Sequence, residues 1–501
     1  MKAISVRRPA KILLACIGLA VCALAVRFGH WLPGNSDTAS PVIQPSILSD
    51  TAASEKRPLR VAITADAACM PGVIENSGLV HNDASLYSRR YGITVDFVIV
   101  EDWETAFERL ASGKIDVVAT DTATFPLAYP KIRQANPVAF MQYCWYSGGD
   151  AIAAHTSIPS INDFRGKTLI CAGNSRSHML ALYMLSLAGI RPGDVKWKFT
   201  ITGEDAVRLF AKGRADACTA RSIPLRRALK TRNGARLLAS TADASRLIAG
   251  IFVTRESWIL TNRDRLVKFA AGWFEGAYIA RTNPQLAYDA LAGIRGPSGS
   301  PQDIQEELAG VDLTDRADTL ALFDIPGGQD IGFNRLFSIS SGLWLDANAI
   351  SSLEIPEIAR NTDVILSVPT PTETPGKKPA AVVKSIPIST GWRILAGPIP
   401  LYFDKNSTSM EYASRARLKT LAETALLFPG TNVLLQGFES ADENRWLALA
   451  NTRAATVSTL LSGTYRIPRQ RMYSPERGAF PPADQKNNSR VDACIAAPAD
   501  R

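Results

Sequence analysis

Apolar positions along this chain come in short runs divided by polar turns. LRVAIT at Leu59–Thr64, YGITVDFVIV at Tyr91–Val100, IDVVAT at Ile115–Thr120 and ADACT at Ala215–Thr219 each have strand length. Trp103–Gly113 and Glu204–Gly213 instead repeat apolar residues at helical spacing and end on glycine, a common helix stop. Short helix, glycine, short strand, polar turn: the alternation predicts an α/β fold with a mostly parallel sheet. The plan occurs twice, which predicts two similar lobes. Further helices are expected over Arg263–Arg281, Pro284–Gly293, Pro301–Leu308, Gly327–Gly332, Asn334–Leu345 and Leu353–Ile358, closing the lobes after a second crossing.

The most informative stretch is Lys167–Ala188, KTLICAGNSRSHMLALYMLSLA. It reads as strand Thr168–Cys171, turn Gly173–Ser177, then an apolar helix with Ser175 or Ser177 as N-cap. This layout turns backbone N–H groups and a helix N-terminus toward a ligand. An ordinary βα turn has the same pattern. Three other turns resemble it: Ala65–Met70, DTATF from Asp121, and ARSIP from Ala220. Ligands of α/β sheets sit at the carboxyl ends of strands, so all four turns are expected to line one cleft.

Pattern also divides the chain. Lys2, Arg7, Arg8 and Lys11 precede the apolar run Ile12–Val26, as in a signal peptide or an uncleaved anchor. Positive charge on that side keeps it cytoplasmic and sends the remainder across the inner membrane. Residues 32–57 and Pro369–Pro379 are rich in Pro, Ser and Thr and read as spacer and linker. The expected units are therefore 1–31 signal or anchor, 32–57 spacer, 58–365 body, 366–382 linker and 383–501 C-terminal domain.

Charge and composition narrow the chemistry. A formal charge of +9 over 501 residues comes without a Lys/Arg run, so no nucleic-acid partner is expected. Seven cysteines without a C-x-x-C pair, and only four histidines, argue against a metal site or a cofactor. Cys171 and Cys218 both end strands and are either bridged or two buried thiols. No Ser-His-Asp or paired-carboxylate arrangement can be assembled, so no catalytic residues are assigned.

LRVAIT (59–64), ASGKIDVVATDTATF (111–125), the long block 146–195 and AVRLFAKGRADACTARSIP (206–224) resemble the periplasmic solute-binding proteins of ABC importers. The likeness is to the nitrate/sulfonate/taurine branch of the type II fold. It implies two lobes that close on a small solute, and an ABC permease as partner. Position by position, it puts ligand-binding roles on Ala67 and Cys69, on Asp121, Thr122 and Thr124, and on Gly149 at the crossover. It does the same for Asn174, Ser175, Ser177 and His178, and for Thr219 and Arg221. The implied solute is anionic, sulfonate- or nitrate-like. Arg176 and Arg221 either add charge or lie solvated at the rim. Asp66 and Asp121 would repel an anion if they faced the cleft, which leaves an amino-bearing solute open. Trp145 and Tyr146 are pocket or core, and His178 is a ligand donor or a packing residue.

PIPLYFDKNS (398–407), the helix at 414–430, NVLLQGFES (432–440), the helix at 444–461 and NSRVDACI (488–495) resemble the OmpA-like, peptidoglycan-associating domains, a small α+β fold. Gly437-Phe438-Glu439-Ser440 stands where that family has Gly-His-Thr-Asp. The implied peptidoglycan-binding set is Glu439, Arg453 and Arg490, with Asp442 as another carboxylate. Two further readings stay open. One is a structural or sensory envelope protein whose lobes bind a protein partner. The other, ranked last, is an enzyme on the same fold, as in a thiamine-pyrimidine synthase branch, which needs a reactive histidine such as His178.

Overall fold

The computed structural model describes residues 57–296, 300–325, 331–370, 391–438, 440, 443, 446–474 and 489–498. The expected signal segment, nearly all of the spacer, most of the linker, and the expected helix Gly327–Gly332 apart from its last two residues lie outside them. No described helix is long and apolar enough to cross a membrane.

The chain opens with β1 (Leu59–Ile63), a 3-10 turn at Ala67–Cys69, α1 (Met70–Asn76), α2 (Leu86–Tyr91), β2 (Val95–Ile99), α3 (Trp103–Ala111), β3 (Val117–Asp121), α4 (Phe125–Ala128) and β4 (Pro137–Tyr146). It then crosses through Ser147–Gly149. A second lobe follows with β5 (Asp150–His155), β6 (Thr168–Ala172), α5 (Arg176–Leu187), β7 (Lys196–Thr200), α6 (Gly203–Ala211), β8 (Ala217–Arg221), α7 (Ser222–Thr231) and β9 (Ala235–Ser240). After a second crossing come β10 (Ala249–Arg255), α8 (Glu256–Thr282), α9 (Pro284–Arg295), α10 (Pro301–Ala309), β11 (Val311–Leu313), α11 (Arg316–Leu322), α12 (Phe333–Asp346) and α13 (Asp363–Ser367).

Strand order is β11-β4-β10-β3-β1-β2 in the first lobe and β7-β6-β8-β5-β9 in the second. Pairing is parallel where a helix links the strands, as in β1 with β2 and β6 with β7. It is antiparallel at the crossing strands: β10 against β3 and β4, β5 against β8 and β9. The sheets are therefore mixed rather than mostly parallel, because each lobe receives strands from a crossing that arrives from the other side.

Helix starts follow local chemistry. Asp102 caps α3, Thr202 caps α6 and Ser175 caps α5, each side chain accepting an N–H from the first turn. Leu353–Ile358 differs from expectation: the structure has only a 3-10 turn at Pro356–Ala359. Pro356 lacks an N–H and disfavours helical backbone at Ile355, so the helix cannot run through.

The C-terminal domain holds β12 (Trp392–Tyr402), α14 (Tyr412–Leu427), β13 (Asn432–Phe438), α15 (Trp446–Gly463), β14 (Met472–Tyr473) and β15 (Arg490–Pro498). Its sheet runs β12-β15-β13-β14. It sits on the second lobe. Tyr183 of α5 stacks on Phe428 with ring centroids 6.3 Å apart, and Arg393 grips Asp243 at 2.8 Å. One apolar cluster joins the first lobe, α5 and this domain.

Candidate functional site: the cleft between the lobes

All four small-residue turns reach the gap between the two sheets. Asp66 and the 3-10 turn end β1, Asp121–Thr124 follows β3, Asn174–His178 follows β6, and Arg221 ends β8. Arg176 occupies the centre. Its guanidinium lies 3.7 Å above the Tyr146 ring. Its Nε donates to Asp150 Oδ2 at 3.0 Å, and its two Nη atoms lie 3.8 Å from Asp66 and from Asp121. Arg176 is thus no rim residue: only 15% of its side chain is exposed. Three carboxylates and an aromatic face hold a charge that would otherwise be too costly to bury.

Beside it, Arg221 Nη2 contacts Glu307 at 2.9 Å and Asp66 at 3.7 Å. Arg295 forks onto the same Glu307 at 2.8 and 2.9 Å and donates to the Ala65 carbonyl. Glu307 also accepts the Ala67 N–H at 3.1 Å. When all are ionised, four carboxylates face three guanidiniums.

Burial pushes the Asp66 carboxyl up, but Arg221 and Arg176 pull it down further, and it ends below the ordinary range. Burial wins for Asp121, whose carboxyl is raised in spite of Arg176. The surrounding carboxylates outweigh burial at Arg176 and raise its affinity for its proton.

The hydroxyls named from sequence are spent inside the protein. Thr122 Oγ1 accepts the Ala249 N–H, and Thr219 Oγ1 donates to the Ser177 carbonyl. Ser177 donates to Asp150, and Ser175 caps α5 and donates to the Ala172 carbonyl. The Thr124 backbone N–H and its side chain both hydrogen-bond Asp121. Asn174 takes φ +51° and gives its N–H to His178 Nδ1 at 3.2 Å. His178 packs edge-on against Trp344 and Trp197, and burial lowers its pKa to about 4. Ala67 and Cys69 are buried, and Cys171 and Cys218 are free thiols. Gly149 gives its carbonyl to the Ser222 N–H at the hinge.

Glu307, Arg295 and a charge-pairing role for Asp150 were not read from the sequence, whereas Arg176 was read there as added charge or rim and Tyr146 as pocket or core. Asp66 and Arg176 lie inside the predicted turns, so their charge was a usable signal. Glu307 and Arg295 arrive on α10 and α9, far along the chain, and no local pattern points to them. At the mouth, a cavity of about 440 Å³ is bounded by Gly148, Gly149, Arg221, Arg295 and Glu307. No described group of three or more His, Cys, Asp and Glu side chains has the arrangement of a metal site.

In the C-terminal domain Arg453 is fully buried. Its five N–H groups go to Glu443 (two), Ser407 O, Phe438 O and Asp404 O. Arg453 in turn holds the Glu443 carboxyl down at about 2. Arg490 is buried against Asp492 at 2.8 Å and over the Phe438 ring. Glu439 and Asp442 lie outside the described residues.

Residues 85–258 match a family described as ABC transporter, phosphonate, periplasmic substrate-binding protein. No curated protein matches the chain. Among solved structures, the aliphatic sulphonate-binding protein SsuA of Escherichia coli is similar at 18% identity, covering 63% of this chain and 94% of that one, with a TM-score of 0.49. The alkanesulfonate-binding SsuA of Xanthomonas axonopodis pv. citri, bound to MOPS, is similar at 15% identity, 62% and 99% coverage, and a TM-score of 0.46. Residues 85–258 thus carry a periplasmic substrate-binding domain of the ABC-importer kind, within a two-lobed α/β fold followed by a small α+β domain.

Proposed function

We propose that the chain is an exported solute-binding protein that captures a small anionic solute between its lobes and delivers it to an ABC permease. The N-terminal apolar run serves as export signal or inner-membrane tether, and the bulk of the chain is periplasmic. Body 58–365, linker 366–382 and OmpA-like domain 383–501 are the proposed units. The observation behind this reading is Arg176, a cation held at the meeting point of the turns, beside Tyr146 and the N-terminus of α5.

An oxyanion taking Arg176 alone would draw that charge away from Asp121 and Asp150 and leave Asp66 with Arg221. A sulfonate- or phosphonate-like solute that also carries an amine satisfies both signs. A thermal-shift screen of alkanesulfonates, nitrate, phosphonates, aminophosphonates and simple amines tests this. A solute at about 100 times its Kd adds roughly 2.7 kcal/mol. The largest rise is expected for amino-bearing oxyanions; no rise with any of them would defeat the proposal.

One observation favours a second reading, a structural or sensory envelope protein: the cleft's charges and hydroxyls already satisfy one another. We further propose that the C-terminal domain is a degenerate wall-associating module. With every Arg453 donor taken internally, co-sedimentation with peptidoglycan is expected to be weak and unaffected by Arg490→Ala. Strong sedimentation lost on that change would restore a working site.

A further inference from the structure

The lobes touch through opposite charges at two depths. Deep in the cleft, Arg176 and Arg221 of the second lobe reach Asp66, Asp121 and Glu307 of the first. At the lips, α7 faces α10, with Arg226 3.3 Å from Glu306 and Arg227 paired to Asp303. Arg246, on the second crossing, reaches Asp312 of β11 at 3.1 Å. The place where an enclosed solute would be gripped from both sides is thus filled by a side chain of the protein itself.

We propose that Arg176 acts as a built-in ligand, latching the lobes shut in the absence of solute, so that a solute must displace its guanidinium. The physical case is one of alternatives. Opening the hinge would carry Arg176 away from Asp66, Asp121 and the Tyr146 face together, leaving it only Asp150 on its own lobe. Asp66 would lose both Arg176 and Arg221, retaining the Ala68 N–H at 2.9 Å and the charge of Arg295 nearby. The Arg176 contacts with Asp66 and Asp121 are long, at 3.8 Å, but they are buried, and buried pairs resist separation more than exposed ones. The lip pairs are half exposed and add little alone, but they line up the same closing motion.

This inference rests on the two-lobe reading and not on solute capture. A chain that is latched yet binds no solute would remove the proposed transport role and keep the latch.

The test uses the full-length chain with Cys16 and Cys22 replaced by serine. Spin labels go on the exposed positions Lys114 of the first lobe and Lys212 of the second. Solute-free protein should give one narrow distance distribution matching the structure. Arg176→Ala should broaden it toward longer distances, and millimolar guanidinium ion, filling the vacated seat, should restore the narrow peak where equal sodium chloride does not. Arg176→Lys, which retains the charge without the planar guanidinium that reaches three carboxylates, should lie between and serves if the alanine variant misfolds. A wide distribution in the parent chain, or a distribution untouched by both substitutions, would overturn the latch.

Discussion

Arg176 is the side chain on which the charges of the cleft turn, and its removal has a calculable sign. Arg176→Ala takes the guanidinium from Asp121 and Asp150 and leaves Asp66 to Arg221 and Arg295, and stranding a buried charge costs roughly 3–5 kcal/mol. Without that cation the Asp121 carboxyl, already raised by burial, moves further above its unfolded value. The variant then loses stability as pH rises, so urea unfolding should show a larger deficit near pH 8 than near pH 5. An equal deficit at both would mean that Arg176 contributes packing rather than charge. Glu75 is a second buried carboxyl, with neither oxygen hydrogen-bonded, and burial with the charge of Glu275 raises it to about 8. The unfolded chain releases that proton near pH 4.5, so the parent protein should lose stability between about pH 4.5 and 8. Glu75→Gln should flatten that slope and stabilise the protein above pH 8, read from urea midpoints across the range. Neither role was legible in the sequence. Asp66 and Arg176 could be assigned to turns from their small and polar neighbours, but which charges meet depends on two lobes coming together. Glu75 sits in an ordinary helical pattern that does not announce its burial.

At the scale of elements the sequence was far more readable. The strands β1, β2, β3 and β8, the helices α3, α5 and α6 and the cap Ser175 follow from local periodicity and end signals. What local pattern could not supply was strand direction at the crossings, since β5 and β10 look like any other short apolar run. The long helix α8 shows how packing then fixes an element in place. It lies on α1 through Gly276 and on α2 through Gly272, four residues apart on one face. A Cβ on Gly276 would sit 2.2 Å from the Pro71 carbonyl oxygen, a backbone atom that cannot turn aside. On Gly272 it would meet the Tyr87 ring at 2.4 Å, a side chain with some freedom to swing. Gly276→Ala should therefore destabilise by about 2–3 kcal/mol, despite alanine's better helix propensity, and Gly272→Ala by less. Thermal melts of the two variants check the order; a reversed order would mean that α1 shifts more readily than Tyr87.

At the scale of the whole molecule, the balance between buried and exposed charge decides how the lobes respond to salt. The lip residues Arg226 and Arg227 keep more than half of their side-chain surface exposed, whereas Arg176 keeps 15%. Salt at roughly 1 M shortens the Debye length to about 3 Å. It therefore strips the lip pairs of most of their attraction, each being worth at most about 1 kcal/mol to begin with. Ions have little access to the Arg176 cluster between Asp66, Asp121, Asp150 and Tyr146. The C-terminal domain makes its firm ion-pair and ring contacts, Arg393 with Asp243 and Phe428 with Tyr183, on the side of the second lobe. Its contact with α12 of the first lobe is the partly exposed pair Arg335–Glu423. The parent chain should then show the same radius of gyration by solution scattering at low and at high salt. Arg176→Ala, closed by the lip pairs alone, should expand as salt is raised. Expansion of the parent chain to the same extent would place the closing force at the lips and leave the buried arginine a passenger.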